Sequence, residues 1–228
     1  METLAIITAR GGSKRIPRKN IKDFCGKPII AYSIEAAIES GLFSEVMVST
    51  DSEEIADVAR RYGASVPFMR SERTSDDYAT THDVLKEVLQ EYGKRDKNYD
   101  IFACLYPTAP FVTARKLIDA YELIKKEEAD AVYPVVKYSF PPQRAFIIKD
   151  GFLKYQYPEN INKRSQDLEP IYHDCGQFYF KRARNILNDI AEEKRIPFIV
   201  NEMEVQDIDN EEDWKIAEIK YQSMIVKK

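Results

Sequence analysis

The sequence predicts an α/β protein with three layers, in which helices cover both faces of a doubly wound, mainly parallel β-sheet. Apolar runs typical of strands alternate along the chain with segments whose apolar residues recur at helical spacing. The strand-like runs also lack a polar alternation, as expected for parallel strands that are covered on both faces. Ligands of such sheets bind beyond the carboxyl ends of the strands.

The first predicted unit is a strand at residues 4–8, a long loop, and a helix between Pro28 and Gly41. Asp51 and Glu54 have the spacing of a capping box and predict the start of the next helix. Further strands are predicted at residues 46–49, 66–69, 101–105, 131–136 and 177–180. Further helices are predicted to end at Gly63, to span 81–92, to lie between 114 and 124, and to surround Trp214.

Size and composition are those of a single folded domain. A chain of 228 residues can bury about 70% of its unfolded surface in one core. The three cysteines are odd in number and widely spaced, which excludes a disulfide framework and a CxxC metal site. No apolar run reaches a membrane-spanning length, so we expect a cytoplasmic protein without a membrane partner.

Charge is distributed unevenly. The net charge of −4 and the pI near 5.5 exclude a nucleic-acid-binding surface over much of the molecule. Between Glu2 and Asp23, however, the chain contains no acid. The basic residues of this stretch are Arg10, Lys14, Arg15, Arg18, Lys19 and Lys22. An anion site is therefore expected here.

The loop at residues 9–20, ARGGSKRIPRKN, predicts a phosphate cradle. Gly11 and Gly12 directly follow a strand, where free backbone N–H groups can approach phosphate oxygens. Lysine and arginine add point and bidentate charge, and Ser13 and Asn20 add donors. Neither the Walker ending nor the GxGxxG spacing is present, so a solvated basic loop is the alternative.

Asp207 and Asp209 lie at alternate positions of a predicted strand end, where both side chains share one face. Two carboxylates suit Mg²⁺, which keeps several waters and bridges protein to phosphate. The alternative is that Asp209 or Asn210 only caps the following helix. Neither His82 nor His173 has the companion spacing of a zinc site, and His173 is open to ligand binding or to packing.

Residues 137–172 interrupt the alternation with proline and aromatic residues. A hairpin arm or insertion is predicted. Its aromatics would close an active site, join a second subunit, or fold back as a flap.

Four motifs then occur in order: the loop at 9–20, Ser49-Thr50-Asp51, YPTAP at 106–110, and QDID at 206–209. Together they resemble the acylneuraminate cytidylyltransferase family, whose members make CMP-linked sialic acids. The likeness spans the chain and implies a Rossmann-like fold of the nucleotide-diphospho-sugar transferase type with an inserted aromatic arm. It implies one nucleotidyltransferase domain over residues 1–228, with 137–172 serving dimerisation, sugar-site closure or both in a homodimer.

The resemblance also implies a reaction of CTP with an acidic 2-keto sugar, giving a CMP-sugar and pyrophosphate with Mg²⁺ as cofactor. Catalysis is assigned to Arg10, Lys19, Asp207 and Asp209, and the two aspartates are assigned to the metal. The residues assigned to the nucleotide are Ala9, Arg10, Gly11, Gly12, Ser13, Lys14, Lys19, Asn20, Arg70, Asp76, Pro107 and Thr108.

The sugar pocket departs from the sialic acid branch. The family's usual LQPTSPLR is LYPTAPFV at residues 105–112, without its glutamine and arginine. FPPQR at 140–144, RSQDLEP at 164–170 and the following YHD resemble the bacterial pseudaminic acid cytidylyltransferases. Pseudaminic acid is therefore the expected sugar, with N-acetylneuraminic and legionaminic acid as alternatives. The residues assigned to the sugar are Tyr106, Arg144, Arg164, Gln166, His173 and Gln177.

Two other readings remain open. The loop grips phosphates and does not identify cytosine, so another nucleotide such as GTP is an alternative. A nucleotide-binding domain without turnover is another, although Asp207 and Asp209 argue against it because a pure binder has less need of a metal at the α-phosphate.

Overall fold

Strands and helices alternate along most of residues 2–225, the part of the chain that the computed structural model describes. The strands are β1 (Thr3–Thr8), β2 (Asp23–Phe24), β3 (Lys27–Pro28), β4 (Glu45–Ser49), β5 (Ile101–Leu105), β6 (Ala131–Lys137), β7 (Phe146–Lys149), β8 (Phe152–Tyr155), β9 (Tyr172–Asp174), β10 (Phe178–Arg182) and β11 (Arg195–Ile199). The helices are α1 (Ile29–Ser40), α2 (Glu53–Arg61), α3 (Thr81–Gly93), α4 (Ala114–Lys126), α5 (Ala183–Leu187) and α6 (Glu211–Ile225). Residue 1 and residues 226–228 of the predicted domain lie outside the described residues.

The central sheet has the strand order β11-β6-β10-β5-β1-β4. β1 pairs in parallel with β4 and β5, and β11 pairs in parallel with β6. β10 is antiparallel to both β5 and β6, so β6 runs in the same direction as β5. The predicted α/β fold with a mainly parallel sheet is confirmed, with β10 and the short β9 as antiparallel members.

Alternate residues of β1 enter two different cores, which explains why this strand is apolar throughout. Ala5 and Ile7 pack with residues of α1, α2 and α4, whereas Leu4 and Ile6 pack with residues of α3 and α5. All four side chains are fully buried. Both faces of the sheet are therefore covered by helices, and burial of these faces is the main favourable term in the stability of the fold.

A third core cluster lies beside the carboxyl ends of the strands. It contains Ile16 of the basic loop, Phe24, Ile208 and Trp214 of α6. Burial of these side chains brings the basic loop, residues 9–20, together with the acidic segment, residues 204–209.

Two local predictions are wrong. Residues 66–69 form no strand, because Pro67 has no N–H to donate and only a bridge between Met47 and Ser65 extends the sheet here. The capping box at Asp51 is also absent. The residue that precedes α2 is Ser52, and the Asp51 carboxylate instead accepts a hydrogen bond from the backbone N–H of Gly11. The edge strand β11 was not predicted.

Residues 137–172 leave the sheet after β6 and return as β9, which pairs with the carboxyl end of β6. Between them, β7 and β8 form a two-stranded antiparallel hairpin whose side chains are mostly exposed. The exposed fraction of Phe140 is 88%. None of the helices within residues 2–225 combines the length and apolarity needed to cross a bilayer.

Candidate active site

Two adjoining cavities lie beyond the carboxyl ends of the parallel strands, where this sheet type binds ligands. The first has a volume of about 520 Å³ and is lined by the basic loop, residues between Arg70 and Thr81, Val84, and Tyr106 to Thr108. The second, of about 600 Å³, is lined by the end of β6, by β9 and by residues of the acidic segment. Tyr106 lines both cavities and therefore marks their boundary.

The basic loop is held against the turn between β4 and α2. The backbone N–H of Gly11 donates to Asp51 Oδ1 at 2.8 Å, and the N–H of Ala9 donates to the Ser49 carbonyl at 2.9 Å. A Cβ atom at Gly11 would lie 3.1 Å from the Cβ of Ser52. A side chain at position 11 would be crowded against Ser52, so glycine allows the close approach of the loop to this turn.

Asn20 fixes the other end of the loop. Its side chain is buried, and Nδ2 donates to the Arg10 carbonyl at 2.9 Å. This bond crosses the base of the loop and supports the position of Arg10. Asn20 also lines the first cavity, together with Ser13 and Lys14.

The cations at the mouth of the first cavity face Asp77. Arg10 forms an ion pair with the Asp77 carboxylate at 2.9 Å and donates to the Asp76 carbonyl at 3.1 Å. Lys14 pairs with the other oxygen of Asp77. These hydrogen bonds, from Lys14 and then Arg10, hold the pKa of the Asp77 carboxyl below its usual value. Arg10 and Lys14 thus converge on one carboxylate, as they would on an anionic ligand.

Arg70 supplies a second, buried cation to the same cavity. Its exposed fraction is 8%, and its guanidinium donates to the hydroxyl and carbonyl oxygens of Ser49 at 3.0 and 2.6 Å. Burial lowers the pKa of Arg70, and within residues 2–225 no carboxylate forms an ion pair with it. A buried guanidinium bonded to neutral oxygens is well suited to receive an anion.

Lys19 joins the basic loop to the acidic segment. Its Nζ donates to the Ile208 carbonyl at 2.7 Å, although 189 positions separate the two residues. Burial lowers the pKa of Lys19, and the carboxylates of Asp209 and Asp207 oppose that effect. Arg15 forms an ion pair with Asp209 at 2.7 Å. The basic loop and the segment that carries the two aspartates are therefore in direct contact.

The acidic segment is not the end of a strand, contrary to prediction, because residues 205–209 pair with no other strand. The alternative that Asn210 caps the following helix is confirmed, whereas Asp209 does not serve as the cap. The side chain of Asn210 accepts the N–H groups of Glu212 and Asp213 at 2.9 and 3.0 Å, so Asn210 caps α6. Asp207 lines the second cavity, whereas Asp209 faces Arg15 of the first.

The donor set fits a magnesium ion. Within residues 2–225 no group of three or more histidine, cysteine and acidic side chains could form a complete protein cage for a metal. Mg²⁺ is instead bound through one or two carboxylates together with phosphates and waters. Asp207, which lines the second cavity, and Asp209, which pairs with Arg15, are two carboxylates suited to such a site.

The residues assigned to the sugar do not all lie together. Tyr106 and His173 line the second cavity, and Gln166 lines a neighbouring one of about 400 Å³. Arg144 and Arg164 lie in the segment of 137–172, where Arg144 contacts Ser165 and Arg164 pairs with Asp167. Neither arginine lines the two main cavities of its own chain.

Gln177 has a different environment from the one expected. Its exposed fraction is 3%, and its Nε2 donates to the Glu204 carbonyl at 2.6 Å. It therefore contacts the acidic segment and does not line the second cavity.

The comparison with known proteins decides the class. The model of the cytidylyltransferase family matches residues 4–213. The chain belongs to the cytidylyltransferase family. This confirms the predicted family and a nucleotidyltransferase enzyme.

Curated relatives and a solved structure resemble this cytidylyltransferase along its length. It is 42% identical over 224 residues to pseudaminic acid cytidylyltransferase of Campylobacter jejuni, with 97% of each chain covered. It is 37% identical over 229 residues to CMP-N,N'-diacetyllegionaminic acid synthase of Legionella pneumophila, covering 96% of this chain and 95% of the relative. CMP:2-keto-3-deoxy-manno-octonic acid synthetase complexed with CTP shares its fold, with a TM-score of 0.72, 17% identity, and 98% and 100% of the two chains covered.

Sequence reasoning missed several groups at the site of this cytidylyltransferase. Lys220 of α6 lines the second cavity and donates to the Val205 carbonyl at 2.7 Å. Asp174 lines it too and accepts the hydroxyl of Tyr179 at 2.7 Å. No motif marks Lys220, because it is one of several polar residues on an amphipathic helix and only packing aims it inward.

Proposed function

We propose that this cytidylyltransferase transfers CMP from CTP to the anomeric hydroxyl of a nonulosonic acid, with pseudaminic acid as the favoured sugar. The contact between Lys19 and the Ile208 carbonyl carries this proposal, because it joins a phosphate-binding loop to two carboxylates beside a second cavity. The 42% identity to a pseudaminic acid cytidylyltransferase over nearly the whole of both chains supports the choice of sugar.

We place CTP in the first cavity. Its triphosphate would lie over residues 9–14, with Arg10 and Lys14 released from Asp77 to meet the phosphate oxygens. Arg70 and Lys19 would face it from the cavity wall, and Asp76, Pro107 and Thr108 would border the nucleoside. Several fixed cations around one polyphosphate stabilise the charge that develops on the departing pyrophosphate.

We place the sugar in the second cavity, beside Tyr106 and His173. Its anomeric oxygen would then approach the α-phosphorus across the boundary between the cavities, in line with the bond to pyrophosphate. A new bond forms from that oxygen to phosphorus as the bond to pyrophosphate breaks. Catalysis of such transfers consists mostly of positioning and electrostatic stabilisation, which these residues supply.

We propose Mg²⁺ as the cofactor, held by Asp207 and Asp209. When bound, it would neutralise phosphate charge and polarise the α-phosphoryl group. Asn210 rather than either aspartate caps α6, and Asp209 would give up its ion pair with Arg15 to hold the metal. Their retention also favours an enzyme over a nucleotide-binding domain without turnover.

We propose that the protein works as a homodimer in the cytoplasm. The segment 137–172 exposes Phe140, Ile148 and Phe152, an apolar surface suited to a second copy of the chain. In that arrangement Arg144 and Arg164, which do not line their own cavities, would reach the sugar site of the other copy. Free cysteines and the use of CTP support the location.

The deciding experiment is mass spectrometry of products after incubation with CTP, Mg²⁺ and single nonulosonic acids. Pseudaminic acid should give a CMP-sugar and pyrophosphate with the highest kcat/KM among pseudaminic, legionaminic and N-acetylneuraminic acids. A higher kcat/KM for legionaminic acid would replace the sugar assignment. Absence of any CMP-sugar would overturn the function. GTP in place of CTP serves as the nucleotide control.

Oligomeric state is tested separately by light scattering after size-exclusion chromatography. Phe140→Ser combined with Phe152→Ser should convert a dimer to a monomer. The matched control is Ile219→Ser, an exposed apolar residue on α6. A monomeric wild-type protein would overturn the proposed dimer.

A further inference from the structure

Glu204 lies three residues before Asp207. Two side chains from other elements of the fold bind it, one through an ion pair and one through a hydrogen bond. Lys116, in the first turn of α4, forms an ion pair with the Glu204 carboxylate at 3.1 Å. Gln177, just before β10, donates to the Glu204 carbonyl at 2.6 Å. None of these three residues lines the two main cavities. Any effect of these two contacts on the site is therefore indirect, through the position of the backbone at Glu204.

The side chains of Lys116 and Gln177 are both largely buried. The exposed fraction of the Lys116 side chain is 12%, and its Nζ also donates to the Phe111 carbonyl at 3.0 Å. Gln177 Oε1 has no hydrogen-bond partner among the described residues, so this buried amide makes its one side-chain bond to Glu204. Burying a polar group costs free energy unless the group forms a hydrogen bond or ion pair. Displacement of Glu204 would leave Lys116 and Gln177 without these partners, so the two contacts favour one position of Glu204.

The backbone around Asp207 depends on such contacts. Residues 205–209 belong to no strand, so no ladder of backbone hydrogen bonds fixes them. The Val205 carbonyl accepts from Lys220 and the Ile208 carbonyl accepts from Lys19, both at 2.7 Å. Side chains from distant elements therefore take the role that strand pairing has elsewhere.

We propose that Lys116 and Gln177 are positioning residues for Asp207. By holding Glu204, they set where the Asp207 carboxylate stands between the CTP and sugar cavities. The inference rests on the proposed role of Asp207 in metal binding. Removal of groups that orient a metal ligand typically weakens metal affinity by about 10- to 100-fold, and the same range is expected here.

The experiment measures Mn²⁺ affinity by electron paramagnetic resonance, in the presence of a CTP analogue that cannot be cleaved, together with Tm. The variants are Lys116→Met, Glu204→Met and the double variant. Lys116→Met should weaken Mn²⁺ binding by about tenfold or more and lower Tm. The double variant should recover Tm, since an apolar pair replaces a partly buried ion pair, but its Mn²⁺ affinity should stay weak.

Lys125→Met is the matched control, because Lys125 lies on the same helix and its contacts are with two residues of that helix, the exposed Glu122 at 3.6 Å and the Tyr121 ring at 5.1 Å from its centroid. Its Mn²⁺ affinity should equal that of the wild-type protein. Recovery of Mn²⁺ affinity together with Tm in the double variant would overturn the proposal, since the pair would then serve stability alone. Unchanged Mn²⁺ affinity in Lys116→Met would overturn it as well.

Gln177→Met keeps the test decisive if Lys116→Met fails to fold, because it removes only the bond to the Glu204 carbonyl. It should weaken Mn²⁺ binding, and an unchanged affinity would contradict the proposal. Asp207→Asn distinguishes the metal-binding role of Asp207 from the positioning role of Lys116 and Gln177. If it leaves Mn²⁺ affinity unchanged, the metal role and the positioning role both fail. If it weakens binding but the Lys116 and Gln177 variants do not, only the positioning role fails.

Discussion

The carboxylate of Asp51 accepts a hydrogen bond from the backbone N–H of Gly11 at 2.8 Å, which ties the basic loop to the turn after β4. The spacing of Asp51 and Glu54 had indicated a helix cap, but the carboxylate turns toward the loop instead. Where this hydrogen bond forms, the two segments lie close together. A Cβ atom added to Gly11 would lie 3.1 Å from the Cβ of Ser52. The position of the loop beside Ser52 is therefore favoured by the absence of a side chain at Gly11.

Gly11→Ala should lower kcat/KM for CTP by about tenfold, because the added Cβ moves the loop away from Ser52 and displaces its phosphate-binding groups. Pyrophosphate release measures the effect. Combining it with Ser52→Gly removes the opposing Cβ and should recover most of the loss, at a small cost in helix capping. Ser52→Gly alone is the control. Lack of recovery in the double variant would show that the close approach is not the cause.

Asp77→Asn should lower the KM for CTP, by no more than about fivefold, because exposed ion pairs contribute little. Asp77 pairs with Arg10 and Lys14, and the position proposed for the triphosphate requires both cations to leave these pairs. Isothermal titration with CTP gives a direct measurement of affinity. Asp57→Asn, at an exposed pair with Arg60, is the control. Weaker CTP binding in Asp77→Asn would instead assign Asp77 a direct role in holding the nucleotide.

Lys19 should set an alkaline limit on kcat/KM for CTP. Burial lowers its pKa, so the ammonium loses its proton at a lower pH than an exposed lysine does. In the proposed site the triphosphate binds the charged form of Lys19, so kcat/KM should be retained below that pKa and lost as the pH rises through it. The pH profile of kcat/KM reports the pKa values of groups in the free enzyme.

Lys19→Arg should move this alkaline decline to higher pH, since a guanidinium stays protonated throughout the accessible range. Its activity at neutral pH should also fall, because an arginine fork does not reproduce the single bond to the Ile208 carbonyl. Lys22→Arg is the control, because Lys22 pairs with Glu211 outside both main cavities. An unchanged decline in Lys19→Arg would assign the limit to another group.

Arg144→Ala should raise the KM for the sugar by about tenfold or more while leaving the KM for CTP unchanged, because a guanidinium matches the sugar carboxylate. Steady-state kinetics with each substrate varied in turn measures both constants. Arg115→Ala, at an exposed pair with Asp119, is the control. An unchanged sugar KM would show that Arg144 does not bind the carboxylate.

The sequence by itself determined the order and type of most elements. β5 and the helices α1, α3 and α4 lie within one or two residues of their predicted bounds, because periodicity, glycine caps and apolar runs are local signals. The charge pattern and glycine pair of the loop were also sufficient to predict an anion site, since they lie within one short segment. The family followed from the order of four motifs.

Only the tertiary structure decided how the site is assembled. Asp207 lies beside the loop because Ile208 is buried against Ile16 and Trp214, and no local pattern records that contact. The same holds for Glu204, whose partners Lys116 and Gln177 are distant in sequence. Burial of apolar surface is non-directional and acts between any segments that the fold brings together. Local periodicity therefore predicts the elements, and long-range packing decides which of their polar side chains meet.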